Sequence, residues 1–252
     1  MRFRSAHTKI ARARELTREV ATLLVKQPPY GYFLEINTVS NMKATFSKPD
    51  DEALDVIVIR CGEILHNLRS ALDHAYWEAV SVYVDESSQS AIQFPFAKGK
   101  SKLEQAIKSR LAHKVSEDFY LAIESIRPYA GEGGNTLLNL IHEINIVDKH
   151  KFPTPVGDFT RISSDHIRRL VPDFPRGIVN CSFGQCHRDV SWQGAPTKYI
   201  LAPTYIYKKL DVPVGLVFSI REPYFHAPVI DTLKNMADEV ERILNIMSNS
   251  LS

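Results

Sequence analysis

The stretch from residue 53 to residue 84 constrains the fold more than any other part of the chain. Leu54, Ile57, Cys61, Ile64, Leu68, Leu72, Ala75 and Ala79 recur at helical spacing, and on a helix turning about 100° per residue they share one face. A helix of that length with an uninterrupted apolar face has to be a core element around which others pack. Pro49-Asp50-Asp51 supplies capping residues just ahead of it.

Between residues 62 and 77 the opposite face carries Glu63, His66, Asn67, Arg69, Ser70, Asp73, His74 and Trp77, with no lysine and a single glutamate. Solvated helix faces are normally filled by Lys and Glu, so this composition predicts a face that packs against something and hydrogen-bonds to it. Helical geometry separates two polar stripes: His66, Arg69 and Asp73 fall within roughly 60° of arc, and Glu63, Asn67, Ser70 and His74 lie beside them. Arg69 and Asp73, four residues apart, are placed to form an ion pair, with the basic residue N-terminal in the weaker orientation.

The remaining chain reads as helices around this one, with an interruption. Residues 5–27 form an amphipathic helix ended by Pro28-Pro29, and Tyr30 to Phe46 is predicted to be a hairpin. Helices follow over 101–110, 115–127 and 136–151. From 154 to 226 prolines and alternating segments, such as 198–207 and 214–221, predict strands of a late antiparallel sheet. Residues 228–248 return to a helix, with Ile230, Leu233, Ala237, Val240, Leu244 and Met247 on one face. The expected class is therefore α+β in a single domain over 1–252. It divides into a helical part to about 152, a β-rich part over about 153–226 and a closing helix over about 227–250.

Charge narrows the function classes. The chain holds 31 basic and 29 acidic residues, net +2, so nucleic-acid binding would have to come from a local patch. The first 18 residues hold six Lys/Arg and one Glu; a solvated basic face explains them better than an RNA or lipid contact. Three scattered cysteines fit a reducing compartment. With no apolar leader segment and no run of about 18 apolar residues, the chain is expected to be soluble and cytoplasmic, without membrane contact.

A second chemically loaded stretch is His142-Glu-Ile-Asn-Ile-Val-Asp-Lys-His150. Asp148 falls on the apolar face with Leu137, Ile141 and Ile144, where a carboxylate needs a cation, and Arg69 is the first candidate. Lys149 and His150 suit the negative end of the helix dipole.

The strings GEILHNLRSALDHAYW, FPF, IRPY ahead of a Gly-rich loop, and NIVDKHKF resemble the landmarks of a family of uncharacterised bacterial proteins. That family carries a GD-x-x-HNLRSALDH helix and a DKHR-type helix end. The resemblance runs to about residue 152, with Glu63 standing where Asp is expected, and implies no assigned activity. Arg69-Ser-Ala-Leu-Asp-His74 is also similar to the Arg-x4-6-His motif of HEPN domains, helical modules of bacterial defence and toxin systems that cleave RNA without metal. Here Ser70 replaces the commoner Asn, and on a straight helix Arg69 and His74 point about 140° apart. Shared use at one phosphate would need a homodimer or a distorted helix.

Three functions compete. As a metal-independent RNA-cleaving or RNA-binding protein, the chain would use His66 or His74 as general base and Arg69 on the phosphate, with Asp73 beside it; Glu63, Asn67, Ser70, Asp148, Lys149 and His150 would support them. As a non-catalytic interaction module, it would keep the same polar face as a structural network. As a helical-bundle metal enzyme, it would use Glu63-x-x-His66 with His142, Glu143 and His150. Cys181, Cys186 and His187 match no strong zinc spacing and read better as ordinary cysteines. No phosphate loop, dinucleotide fingerprint or Ser-His-Asp signature occurs, so no cofactor is expected.

Overall fold

The computed structural model describes residues 2–36, 48–148, 155–158, 206–210, 215–218 and 228–251. Six α-helices run through them: α1 (Arg4–Lys26), α2 (Asp51–Val80), α3 (Leu103–Ser109), α4 (Glu117–Ile126), α5 (Thr136–Asp148) and α6 (Val229–Asn249). Backbone contacts divide the chain into two compact units. The first comprises Met1–Glu19, Arg60–Phe152 and Asp231–Ser252, and the second Val20–Ile59 and Pro153–Ile230.

The first unit is a helical bundle. Every residue of the expected apolar face of α2 from Cys61 to Ala79 is buried there, and Leu65, Ala71 and Tyr76 extend the buried arc beyond that face. Phe3 just ahead of α1, Ile10 and Leu16 from α1, Ile107 from α3, Phe119 and Ile123 from α4, Leu138 and Ile141 from α5, and Leu233, Val240 and Leu244 from α6 also belong to the core. Each such side chain contributes about 1.5–3 kcal/mol on leaving water. Tyr76 is the aromatic hub: its ring meets Phe94 edge-on and Phe119 at a tilt, both with centroids 5.9 Å away. Its hydroxyl donates to the Arg110 carbonyl at 2.9 Å, and burial pushes its pKa well up.

Side-chain caps set several helix starts. In the second unit Asp50 Oδ1 accepts the Ala53 N–H at 3.0 Å ahead of α2. In the first, Ser116 Oγ accepts from Phe119 N at 3.0 Å, and Asn135 Oδ1 from Leu138 N at 3.0 Å. The Ala97 segment is stitched to the Pro128–Ala130 turn by Ala97 N–H to the Pro128 carbonyl at 2.8 Å and Ala130 N–H to the Ala97 carbonyl at 3.3 Å.

The α+β expectation is corrected: the described residues are mainly helical, and among them no late antiparallel sheet layer is shown. Among the described residues the β-ladders are short and lie in the second unit. β1 (Tyr30–Ile36) pairs over two residues with β2 (Lys48–Pro49) and antiparallel with β4 (Ile206–Leu210), while β3 (Pro155–Asp158) pairs with β5 (Gly215–Phe218). The return strand of the hairpin expected over 30–46 lies outside the described residues, as does most of 154–226. Alternating, proline-interrupted sequence suits short edge pairings and irregular chain as well as it suits a sheet. No described helix is long and apolar enough to cross a membrane.

Candidate functional site

The polar face of α2 divides according to what surrounds it. Arg69 turns inward: its side chain is only 12% exposed, and Nη1 donates to Asp73 Oδ1 at 2.7 Å. The same carboxylate oxygen accepts the Phe94 N–H at 3.0 Å, so Asp73 joins the helix to the Phe94-Pro95-Phe96 segment. The Arg69 guanidinium carbon lies 4.5 Å from the Phe96 ring centroid, a cation–π contact strengthened by partial desolvation. Phe96 also stacks on the His142 ring of α5, with centroids 4.1 Å apart and planes 7° from parallel.

Burial sets the electrostatics of this cluster. It lowers the Arg69 pKa, and Asp73 opposes that shift through its charge and hydrogen bond; a guanidinium remains a cation under all working conditions. Burial, followed by the nearby Arg69 charge, lowers His142 from 6.5 to about 4, so its imidazole is neutral at pH 7. His142 Nδ1 is buried and has no hydrogen-bond partner.

The other expected residues do not converge on Arg69. His66 Nε2 contacts Ser70 Oγ at 3.4 Å on the same helix, while His74 Nδ1 is paired with Ser5 Oγ of α1 at 2.7 Å. Both histidines are exposed. Glu63 forms an ion pair with Arg60 at 2.7 Å, and Asn67 Nδ2 donates to the Glu63 carbonyl at 2.8 Å. The expected trio His66, Arg69 and Asp73 is thus a pair, Arg69 with Asp73, and its further members are Phe94, Phe96 and His142. Asp148 ends α5 in its backbone, but its side chain lies outside the described residues, as do Lys149 and His150 entirely; so do Cys181, Cys186 and His187.

Phe96 and His142 were the members hardest to see in the sequence. The Phe-Pro-Phe string stands in the sequence as one landmark of a resemblance, and His142 as part of a separate helix end; neither carries a periodic signal toward α2. Among the described residues no group of three or more His, Cys, Asp or Glu is gathered closely enough to hold a metal. Glu143 instead accepts from Asn139 Nδ2 at 2.9 Å on its own helix.

Two surface clefts lie elsewhere in the first unit, one of about 830 Å³ beside Arg127 and Tyr129 and one of about 380 Å³ beside His113 and Tyr120. Neither is lined by any residue of α2. No known protein family, curated protein or solved structure matches the chain.

Proposed function

We propose that the chain is a non-catalytic interaction module in which the Arg69–Asp73 network is structural, clamping α2 to the Phe94–Phe96 segment and, through Phe96, to α5. The observation that carries this reading is the occupation of Arg69. Its guanidinium is bonded to Asp73, laid over Phe96 and largely withdrawn from water, an arrangement that suits a structural clamp better than an open phosphate site. His66 and His74 have separate partners, Ser70 and Ser5.

RNA cleavage is the reading this proposal competes with, and one pair of measurements separates them. Purified protein is incubated with single-stranded RNA in chelator, and the thermal melting of wild type, Arg69→Ala, His66→Ala and His74→Ala is compared. The structural reading expects no cleavage and a lowered melting temperature for Arg69→Ala alone. Metal-independent cleavage that is lost in either histidine variant with unchanged melting would overturn it and favour the HEPN-like alternative.

A further inference from the structure

The larger cleft carries an arrangement that neither the motif helix nor the proposed function explains. It is bounded by the turn at Lys100, the start of α3, the end of α4 and the loop around Gly133. Two cations, Lys100 and Arg127, and three carboxylates, Glu104, Glu124 and Glu132, line it together with Tyr129. Glu104 is neutralised by Lys108. Among the described residues the side chains of Lys100, Glu124 and Glu132 make no hydrogen bond or ion pair, and Arg127 has a 3.5 Å contact from Nη1 to the Gly133 carbonyl. These side chains are exposed, and charges of both signs around one cavity set up a local field across it. The complementary occupant is a molecule that carries both charges itself.

Arg127 also sits where an arginine is conformationally costly. It ends α4 with φ 56° and ψ 55°, a left-handed cap position that glycine adopts without strain. The backbone there is held independently of the side chain: the Arg127 carbonyl accepts Tyr129 N at 2.7 Å and Asn135 N at 2.9 Å. A strained non-glycine residue retained at a helix end, with its charge lining a cavity, is the pattern expected where the side chain has a use. The loop beside it is close-packed, because a Cβ on Gly134 would fall on the Tyr129 carbonyl oxygen.

We propose that this cleft binds a short peptide with both termini free, its carboxylate between Lys100 and Arg127 and its ammonium between Glu124 and Glu132. The volume of about 830 Å³ is in the range of small-ligand sites and exceeds what a single amino acid fills. This inference is independent of the structural reading of Arg69, with which it shares no residue.

Calorimetric titration of the full chain with trialanine tests it, beside trialanine acetylated at its N-terminus and trialanine amidated at its C-terminus. Trialanine is expected to bind in the millimolar range or tighter, with each capped form at least about tenfold weaker because one charged end is lost. Arg127→Gly is expected to weaken trialanine binding about tenfold while the melting temperature holds or rises, since the strained cap is relieved. Glu124→Gln/Glu132→Gln should remove the preference for the free N-terminus. Absence of binding at about 10 mM trialanine, equal binding of the capped peptides, or unchanged binding by Arg127→Gly would each overturn the proposal.

Discussion

At the scale of single residues, Asp73 does two jobs with one oxygen, and substitutions can separate them. Asp73→Ala leaves the Arg69 cation unpaired and the Phe94 N–H without its acceptor, a loss of about 3 kcal/mol. Asp73→Asn keeps a side-chain oxygen for Phe94 and removes only the charge, so urea titration should show it about 1–2 kcal/mol less damaging than the alanine. His142 supplies a pH signature. Its folded-state pKa of about 4 lies below the ordinary 6.5, so between those values the unfolded chain binds a proton that the folded chain refuses. Stability therefore falls as pH drops through that window and levels off below it. His142→Phe keeps a ring against Phe96 and removes the buried, unpartnered Nδ1. Melting curves from pH 7 to about pH 4 should show a shallower decline for this variant than for wild type, and an equal slope would exclude His142 as the source.

At the scale of the elements, helix boundaries were legible where a cap or a proline marks them. The expected 5–27 and 228–248 helices correspond to α1 over Arg4–Lys26 and α6 over Val229–Asn249, and Ser116 starts α4 as an N-cap should. Removing that cap by Ser116→Ala should cost about 1 kcal/mol, measurable by chemical denaturation, whereas Ser116→Asp should be nearly neutral. The long helix stops earlier than its apolar pattern suggests, at Val80, and continues as a 3-10 turn over Ser81–Tyr83. The extended segments were misjudged for a different reason. Alternation shows that a strand is possible, but its partner depends on chain far away: Tyr32–Ile36 pairs with Ile206–Leu210.

At the scale of the whole molecule, the first unit is assembled from both ends of the chain and its middle. Phe3 is 1% exposed, and its N–H is held by Glu78 Oε1 at 2.9 Å, so a residue near the start of the chain is part of the core. Phe3→Ala should cost about 3–5 kcal/mol. Amide exchange should quicken in α2 and α6 together; acceleration confined to α1 would mean that this segment frays independently. The sequence by itself determined that α2 is a core helix and that Arg69 and Asp73 pair, because both follow from the spacing of residues along one helix. Only the tertiary structure decided that this pair is covered by Phe96 beside a neutral His142, while His66 and His74 remain outside with Ser70 and Ser5. Helical periodicity places residues around an axis, but which arc is buried, and by what, depends on segments that approach it from elsewhere in the chain.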